Sequence, residues 1–208
     1  LDELTESQKP VLEVLRQPLE EHQIHIARTH GNYVFPANFI LIAAMNPCPC
    51  GCYPDMERCV CSPAQIQNYL RKISQPFLDR IDICVEAPRV TYEELTTKKK
   101  AESSADIRER IVRTRRIQEN RFLESGMEIY TNSMMGIKET EKFCTLDNEG
   151  KHILQQAFET MKLTARSYHK ILKVARTIAD MDESENIHAK HLREAIGYRT
   201  LDKKYWGR

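Results

Sequence analysis

Five cysteines crowd between positions 48 and 61, as Cys48-x-Cys50-x-Cys52 and Cys59-x-Cys61, with Pro49, Gly51 and Pro54 shaping the loop between them. Four thiolates from two close pairs can close a tetrahedral structural Zn²⁺ site, although Cys-x-Cys is tighter than the usual two-to-four-residue spacing. The other reading is a reduced, Cys-rich loop. Packing is a poor explanation, because a free Cys that packs sits singly in a core, as expected of Cys84 and Cys144. Asn46, just before this loop, ends an unbroken apolar run at residues 39–45. Its amide stands where an open α/β sheet binds ligands, at the carboxyl end of a strand. Asn-Pro is also a common turn opening, which suffices locally.

Two further groups carry charge in suggestive places. In the helical pattern over residues 164–181, Tyr168, Ile171, Leu172, Ala175, Ile178 and Ala179 form one apolar stripe, and Arg166 lies opposite it. A cation in a first helical turn opposes the macrodipole unless an anion is near; a solvated face shared with Lys170 and Lys173 is the alternative. Arg108, Arg110, Arg113, Arg115, Arg116 and Arg121 crowd another helix. Such stripes are most often solvated faces, here balanced by Glu109 and Glu119, and a nucleic-acid contact is only hinted at.

The elements that must hold these residues follow from the apolar spacing. Val11, Val14, Leu15 and Leu19 predict a helix over residues 5–20, with Pro10 in its first turn. Ile24 and Ile26 alternate, His30-Gly31-Asn32 supplies turn chemistry, and Tyr33, Val34 and Phe35 follow, which predicts a β-hairpin. The run at 39–45 has the length of a strand covered on both faces, as in parallel sheets. Ser62-Pro63 opens a helix carrying Ile66, Tyr69, Leu70 and Ile73, and Ile81, Ile83 and Val85 alternate as a short strand. A Lys-rich stretch at Lys98, Lys99 and Lys100 divides the chain, so the domains expected are 1–97 and 98–208. Beyond it helices are predicted at 105–124, 151–161, 164–181 and 189–198, with a weaker signal at 137–143. The fold class is therefore α/β followed by an all-α domain.

Composition sets limits. The 208 residues hold 31 Lys and Arg against 30 Asp and Glu, a net charge of +1, so a polyanion surface must be local. Seven Cys, an odd number, fit a metal site or reduced thiols better than a disulfide framework. With neither an 18-residue apolar run nor a leader pattern, the expectation is a cytoplasmic protein without a membrane span.

The segments DEL at 2–4, LRQPLE at 15–20, AAMNPCPCG at 43–51, LDRID at 78–82 and ARSYHKILKVARTIAD at 165–180 resemble, in this order, the magnesium-chelatase-like AAA+ ATPase family, in its ComM-type branch implicated in natural transformation. The resemblance implies a truncated AAA+ core running from a Walker B strand: the C-terminal half of a parallel sheet with a β-hairpin insertion, then a helical lid. It implies that Asp2 organises Mg²⁺ and Glu3 is the catalytic base. Taken alone, this acidic pair near a helix start is merely favourable with the dipole. Asn46 becomes sensor 1, bonding the γ-phosphate of ATP and the attacking water. Arg80 becomes an arginine finger reaching a neighbouring subunit's ATP; a surface pair with Asp79 or Asp82 is its plain alternative. Arg166 becomes sensor 2 in the lid. Cys48, Cys50, Cys59 and Cys61 match the family pattern and Cys52 is extra.

The activity implied is ATP hydrolysis by a ring, hexameric by resemblance, coupled to DNA remodelling such as branch migration. In related ring motors such hairpins point at the pore, where His25, Arg28, His30 and Tyr33 would contact DNA; a sheet extension is the alternative. A chelatase-type motor subunit driving metal insertion by a partner, and a non-catalytic interaction module, are the competing readings. No Gly-x-x-x-x-Gly-Lys-Ser/Thr loop occurs in the 208 residues, so the chain by itself is expected to lack ATP turnover.

Overall fold

A computed structural model describes residues 1–88, 90–96 and 101–206. The chain is mostly helical, with one antiparallel two-stranded hairpin and a bundle of helices in its C-terminal half. It divides into two compact units, Leu1–Ile81 with Asp202–Arg208, and Asp82–Leu201. The expected boundary at 97/98 and its three lysines lie outside the described residues.

In the first unit the helix expected at 5–20 is broken into a 3-10 turn at Leu4–Glu6, α1 (Lys9–Val14) and α2 (Arg16–Glu21). Pro10 sits at the start of α1, where its missing N–H costs nothing. His22, at φ 54°, ends α2 and turns the chain into the hairpin. There β1 (Gln23–Arg28) pairs with β2 (Gly31–Pro36), Ile24 opposite Phe35 and Ile26 opposite Tyr33. Arg28 pairs with Gly31, so the turn centres on Thr29 and His30, and Asn32 belongs to the ladder. All the residues of both strands are exposed. The hairpin is therefore held by its own backbone bonds and not by a core.

Two expected strands are not strands among the described residues. The run at 39–45 joins no sheet, and Ile40 and Ile42 are 83% and 78% exposed. A strand buried on both faces needs neighbours on both edges and layers above and below. Among the described residues, the backbone bonds of this run go to the first residues of the chain. The Leu1 ammonium donates to Ile42 O at 2.7 Å, Ala44 N–H donates to Leu1 O, and Leu4 N–H to Ala44 O, both at 2.9 Å. Residues 81–85 likewise join no sheet, and Ile83 and Val85 are exposed.

What buries this unit is helical. Leu4, Leu12, Ile73, Phe77 and Leu78 form one cluster, with Leu41 and Met45 against it. Cys48, Ile66 and Leu70 form another. Ser62 caps α3 (Pro63–Leu70) with a reciprocal capping box to Gln65, satisfying two donors that a helix start leaves open. Ser74 caps the short α4 (Gln75–Leu78).

The second unit contains α5 (Tyr92–Thr96), α6 (Ser104–Glu124), α7 (Ile137–Phe143), α8 (Asn148–Met161), α9 (Ala165–Met181) and α10, whose full span is Ala189–Trp206. The predicted stripe of α9 is the buried one: Ile171, Leu172, Ala175 and Ala179 join Phe122, Leu154, Leu192 and Ala195 in a single core. Phe122 and Phe143 meet edge to face at 5.5 Å, a favoured geometry for aromatic quadrupoles. Arg176 and Asp180, one turn apart on α9, are also buried. They pair with each other at 3.0 Å, and Arg121 of α6 joins Asp180.

Candidate functional site

The cysteine loop comes together as its spacing suggested. Chain reversal at Cys48 to Gly51 is closed by Gly51 N–H donating to Cys48 O at 3.0 Å. Gly51 has φ 73°, left-handed backbone that a side chain would strain. A second turn, Cys59 N–H to Asp55 O at 2.8 Å, returns the chain. The sulfurs of Cys48, Cys50, Cys59 and Cys61 then all lie within 4.8 Å of one another. Cys48 to Cys50 is 3.4 Å, Cys48 to Cys59 3.8 Å and Cys50 to Cys59 3.7 Å. A tetrahedral ion with metal–sulfur bonds of about 2.3 Å has sulfur–sulfur edges of about 3.8 Å, so four thiolates in this arrangement fit a metal ion. Cys52 stands outside the group and points its sulfur at Cys50 O, 3.6 Å away.

The thiols of this cluster cannot ionise independently. A backbone N–H from Cys52 holds Cys50 down at about 6 against desolvation, helped by Val60 N–H and by the Cys48 and Cys61 side chains. Cys59 goes the other way, to about 12: the Cys61 N–H favours its thiolate, but desolvation and the adjoining thiols of Cys50 and Cys48 outweigh it. Cys61 is raised chiefly by desolvation. One thiolate thus suppresses the next, and a bound cation is what would let all four ionise together.

A pocket of about 620 Å³ lies beside this loop. Glu3, Glu6, Asn46, Pro49, Gln65, Asn68, Tyr69 and Lys72 line it. Two of the residues singled out in the sequence, Glu3 and Asn46, therefore share one cavity. Asp2 does not line it, and its carboxylate accepts the Glu3 N–H at 3.0 Å. The cysteine loop joins the two walls: Asn46 is two residues before Cys48, and Ser62, the cap of α3, directly follows Cys61. The apolar spacing that predicts this helix does not single out the polar residues that line the pocket, Gln65 and Asn68 of α3 and Lys72 just beyond it. Their signal was a polar i, i+3, i+7 stripe, Gln65, Asn68 and Lys72, beside the buried Ile66 and Leu70.

Arg80 does not project freely. Its Nε donates to Arg16 O at 2.9 Å, Nη1 to Pro76 O at 2.6 Å and Nη2 to Glu20 at 2.5 Å, and the side chain is only 12% exposed. Arg166 is exposed on the first turn of α9. One turn on, Lys170 pairs with Asp82 at 2.8 Å; burial pulls Lys170 below the usual lysine range, with Arg199 and Arg166 adding repulsion and Asp82 opposing. The basic stripe of α6 splits in two. Arg110 pairs with Glu102 and Arg121 with the buried Asp180, while Arg108, Arg113, Arg115 and Arg116 are exposed.

Family models for magnesium chelatase subunit ChlI match residues 1–95 and, for its C-terminal part, residues 101–199. The chain belongs to the magnesium chelatase ChlI-like family. Members similar to it over nearly its whole length include competence protein ComM of Haemophilus influenzae, 43% identical over 97% of this chain and 38% of that protein. YifB of Escherichia coli is 39% identical over 98% of this chain and 39% of its own length. A Mycobacterium tuberculosis protein is 30% identical over 96% of the chain and 39% of its own length. The chain thus spans about two fifths of the length of these ChlI-like relatives. No described helix is long and apolar enough to cross a membrane.

Proposed function

We propose that this chain is the Walker B to lid portion of a ring-forming AAA+ ATPase of the ComM type, which couples ATP hydrolysis to DNA remodelling. The observation that carries this reading is the pocket shared by Glu3 and Asn46 at the end of the 39–45 run. The contacts of Leu1 with both Ile42 and Ala44, the residues flanking Ala43, are the bonding unit of a parallel ladder. They support 39–45 as a strand of a parallel core whose other strands lie in segments this chain does not include. Residues 1–97 would form the α/β part and 98–208 the lid.

In this reading Asp2 holds the water shell of Mg²⁺, and a carboxylate oxygen of Glu3 takes the proton of the water that attacks the γ-phosphate. Asn46 orients that water without adding charge. Arg80 serves the ATP of the neighbouring subunit, where its guanidinium offsets charge spreading over the transferred phosphoryl group. To do so it must exchange Glu20 and its carbonyl partners for phosphate, which makes the finger available only on assembly. Arg166 follows the nucleotide from the lid. Zn²⁺ at Cys48, Cys50, Cys59 and Cys61 is structural, tying the segment after Asn46 to the start of α3. The exposed hairpin, with His25, Arg28, His30 and Tyr33, supplies the DNA contact; Arg28 and Tyr33 share a face with Ile24, Ile26 and Phe35, whereas His25 is on the other.

The deciding experiment is ATP hydrolysis by a form that carries the upstream phosphate loop, with and without forked DNA, using Glu3→Gln as the blank. DNA-stimulated turnover that vanishes in the variant supports the motor. Turnover indifferent to DNA moves the assignment to a chelatase-type subunit driving metal insertion by a partner, which the family match favours as second reading. No turnover in either condition leaves a non-catalytic interaction module.

A further inference from the structure

The pocket beside Asn46 has a wall that none of these roles uses. Along α3 and the residues just after it, Gln65, Asn68 and Lys72 recur at i, i+3 and i+7 and all line the cavity. Gln65 spends its carbonyl oxygen on the Ser62 N–H, at 2.8 Å, which leaves the amide nitrogen as a donor. Among the described residues the side-chain amides of Asn46 and Asn68 have no hydrogen-bond partner. Lys72 is held loosely: its ammonium is 3.4 Å from Glu6 and 5.4 Å from the centre of the Tyr69 ring. Tyr69 in turn is fixed by the hydroxyl of the buried Thr5, at 2.5 Å. The α3 side therefore presents an ammonium and two amides, Asn46 adds a third amide, and Glu3 and Glu6 add two carboxylates to the same lining.

The charge of this lining selects its ligand. Glu3 and Glu6 outweigh Lys72 by one negative charge, so a bare phosphate meets net repulsion, and a bare cation leaves the amides and Lys72 unused. A magnesium-bound phosphate chain would use both kinds of group, the carboxylates toward the hydrated metal and Lys72 with the amides toward phosphate oxygens.

We propose that Lys72, with Gln65 and Asn68, forms a phosphate-binding wall of this pocket and that the pocket takes a phosphate chain only in its magnesium-bound form. The inference deepens the nucleotide reading, on which its ligand class rests, and adds a binding cation from just beyond α3 to a pocket whose other assigned residues are Glu3 and Asn46. Within it the Lys72–Glu6 pair is a placeholder that the ligand displaces, Glu6 then turning to the metal's water shell.

The test is a titration of the 208-residue chain with tripolyphosphate, with and without Mg²⁺, followed by NMR of the Asn46, Gln65 and Asn68 side-chain amides. With Mg²⁺ these amides shift in saturable fashion. Lys72→Ala weakens the binding about tenfold, the worth of one charge-assisted hydrogen bond in solvent, and Lys72→Arg retains it. Because Lys72 is exposed, both variants keep the fold, checked by unchanged backbone spectra elsewhere. Absence of shifts, equal affinity in Lys72→Ala, or equally tight binding without Mg²⁺ overturns the proposal. The titration needs no turnover, so it fails or succeeds independently of the Glu3→Gln hydrolysis experiment.

Discussion

Cys59 brings its sulfur to 3.8 Å from that of Cys48, eleven residues earlier in the chain. Between them the chain makes two tight turns and returns, so that a loop of polar, turn-forming residues acquires a packed centre made of sulfur. Cys48 is fully buried there, with Ile66 and Leu70 of α3 as neighbours.

Zinc analysis of the purified chain should therefore find about one ion per chain. Cys48→Ser or Cys59→Ser should lose it, and Cys52→Ser should keep it. Because thiols must lose protons to bind the ion, apparent affinity rises with pH through the range in which Cys59 and Cys61 resist ionisation. Strong chelation should broaden the Asn46 and Gln65 signals first, since the loop ties both together. A zinc content near zero in reduced protein removes this site.

Replacing Arg80 by Ala has two consequences that can be separated. In a turnover-competent form, hydrolysis falls about a thousandfold or more while nucleotide binding is retained. The fold is also weakened, by about 1–3 kcal/mol, because Arg16 O, Pro76 O and Glu20 lose a donor in a mostly buried position. Glu20→Gln tests the second effect alone, and urea unfolding reads it. If binding and turnover fall together in Arg80→Ala, its role is structural.

Asp180 is a buried charge in the second unit. Its carboxylate is fully buried between Arg121 and Arg176, and it also accepts from the Asn132 amide at 2.7 Å. Asp180→Ala strands two guanidinium groups against an apolar core and should cost about 3–5 kcal/mol, measured as a lower denaturation midpoint. Exposed Arg115→Ala on the same helix as Arg121 should change the midpoint little.

Glu13 links stability of the first unit to pH. The Ser74 hydroxyl, then Arg16, hold its carboxyl below the ordinary value of 4.5. Between the lowered folded value and the unfolded one, the unfolded chain binds more protons, so stability rises with pH there. The contribution is complete above about pH 5 and fades as pH falls through the folded value. Urea midpoints measured between pH 3 and 6 should show a shallower slope in Glu13→Gln. An identical slope rules this linkage out.

Much of the local structure was legible from periodicity. Although the hairpin turn falls at Thr29 and His30 and Asn32 belongs to the ladder, the stripe of α9, the helix start at Ser62-Pro63 and the existence of the hairpin around Ile24 and Ile26 depend on neighbours within a few residues, which spacing reflects directly. The same is true of the cysteine cluster, whose partners lie in one short loop. Residues 39–45 and 81–85 show the opposite case. An apolar run says that a segment suits a sheet, but pairing requires other strands, and among the described residues the first of them has backbone bonds to Leu1 and Leu4 without joining a sheet.

The family, the helical bundle and the residues capable of metal chemistry were determined by the sequence itself, because each rests on residue type and short spacing. Tertiary structure alone decided which of them meet. It placed Glu3 and Asn46 in one pocket with Lys72, turned Arg80 toward Glu20, and drew Arg121 out of an apparent surface stripe into a buried pair with Asp180. Those outcomes depend on which backbone segments pack across separations of tens of residues. Burial, rather than composition, then sets whether a charge is solvated, paired or available to a ligand.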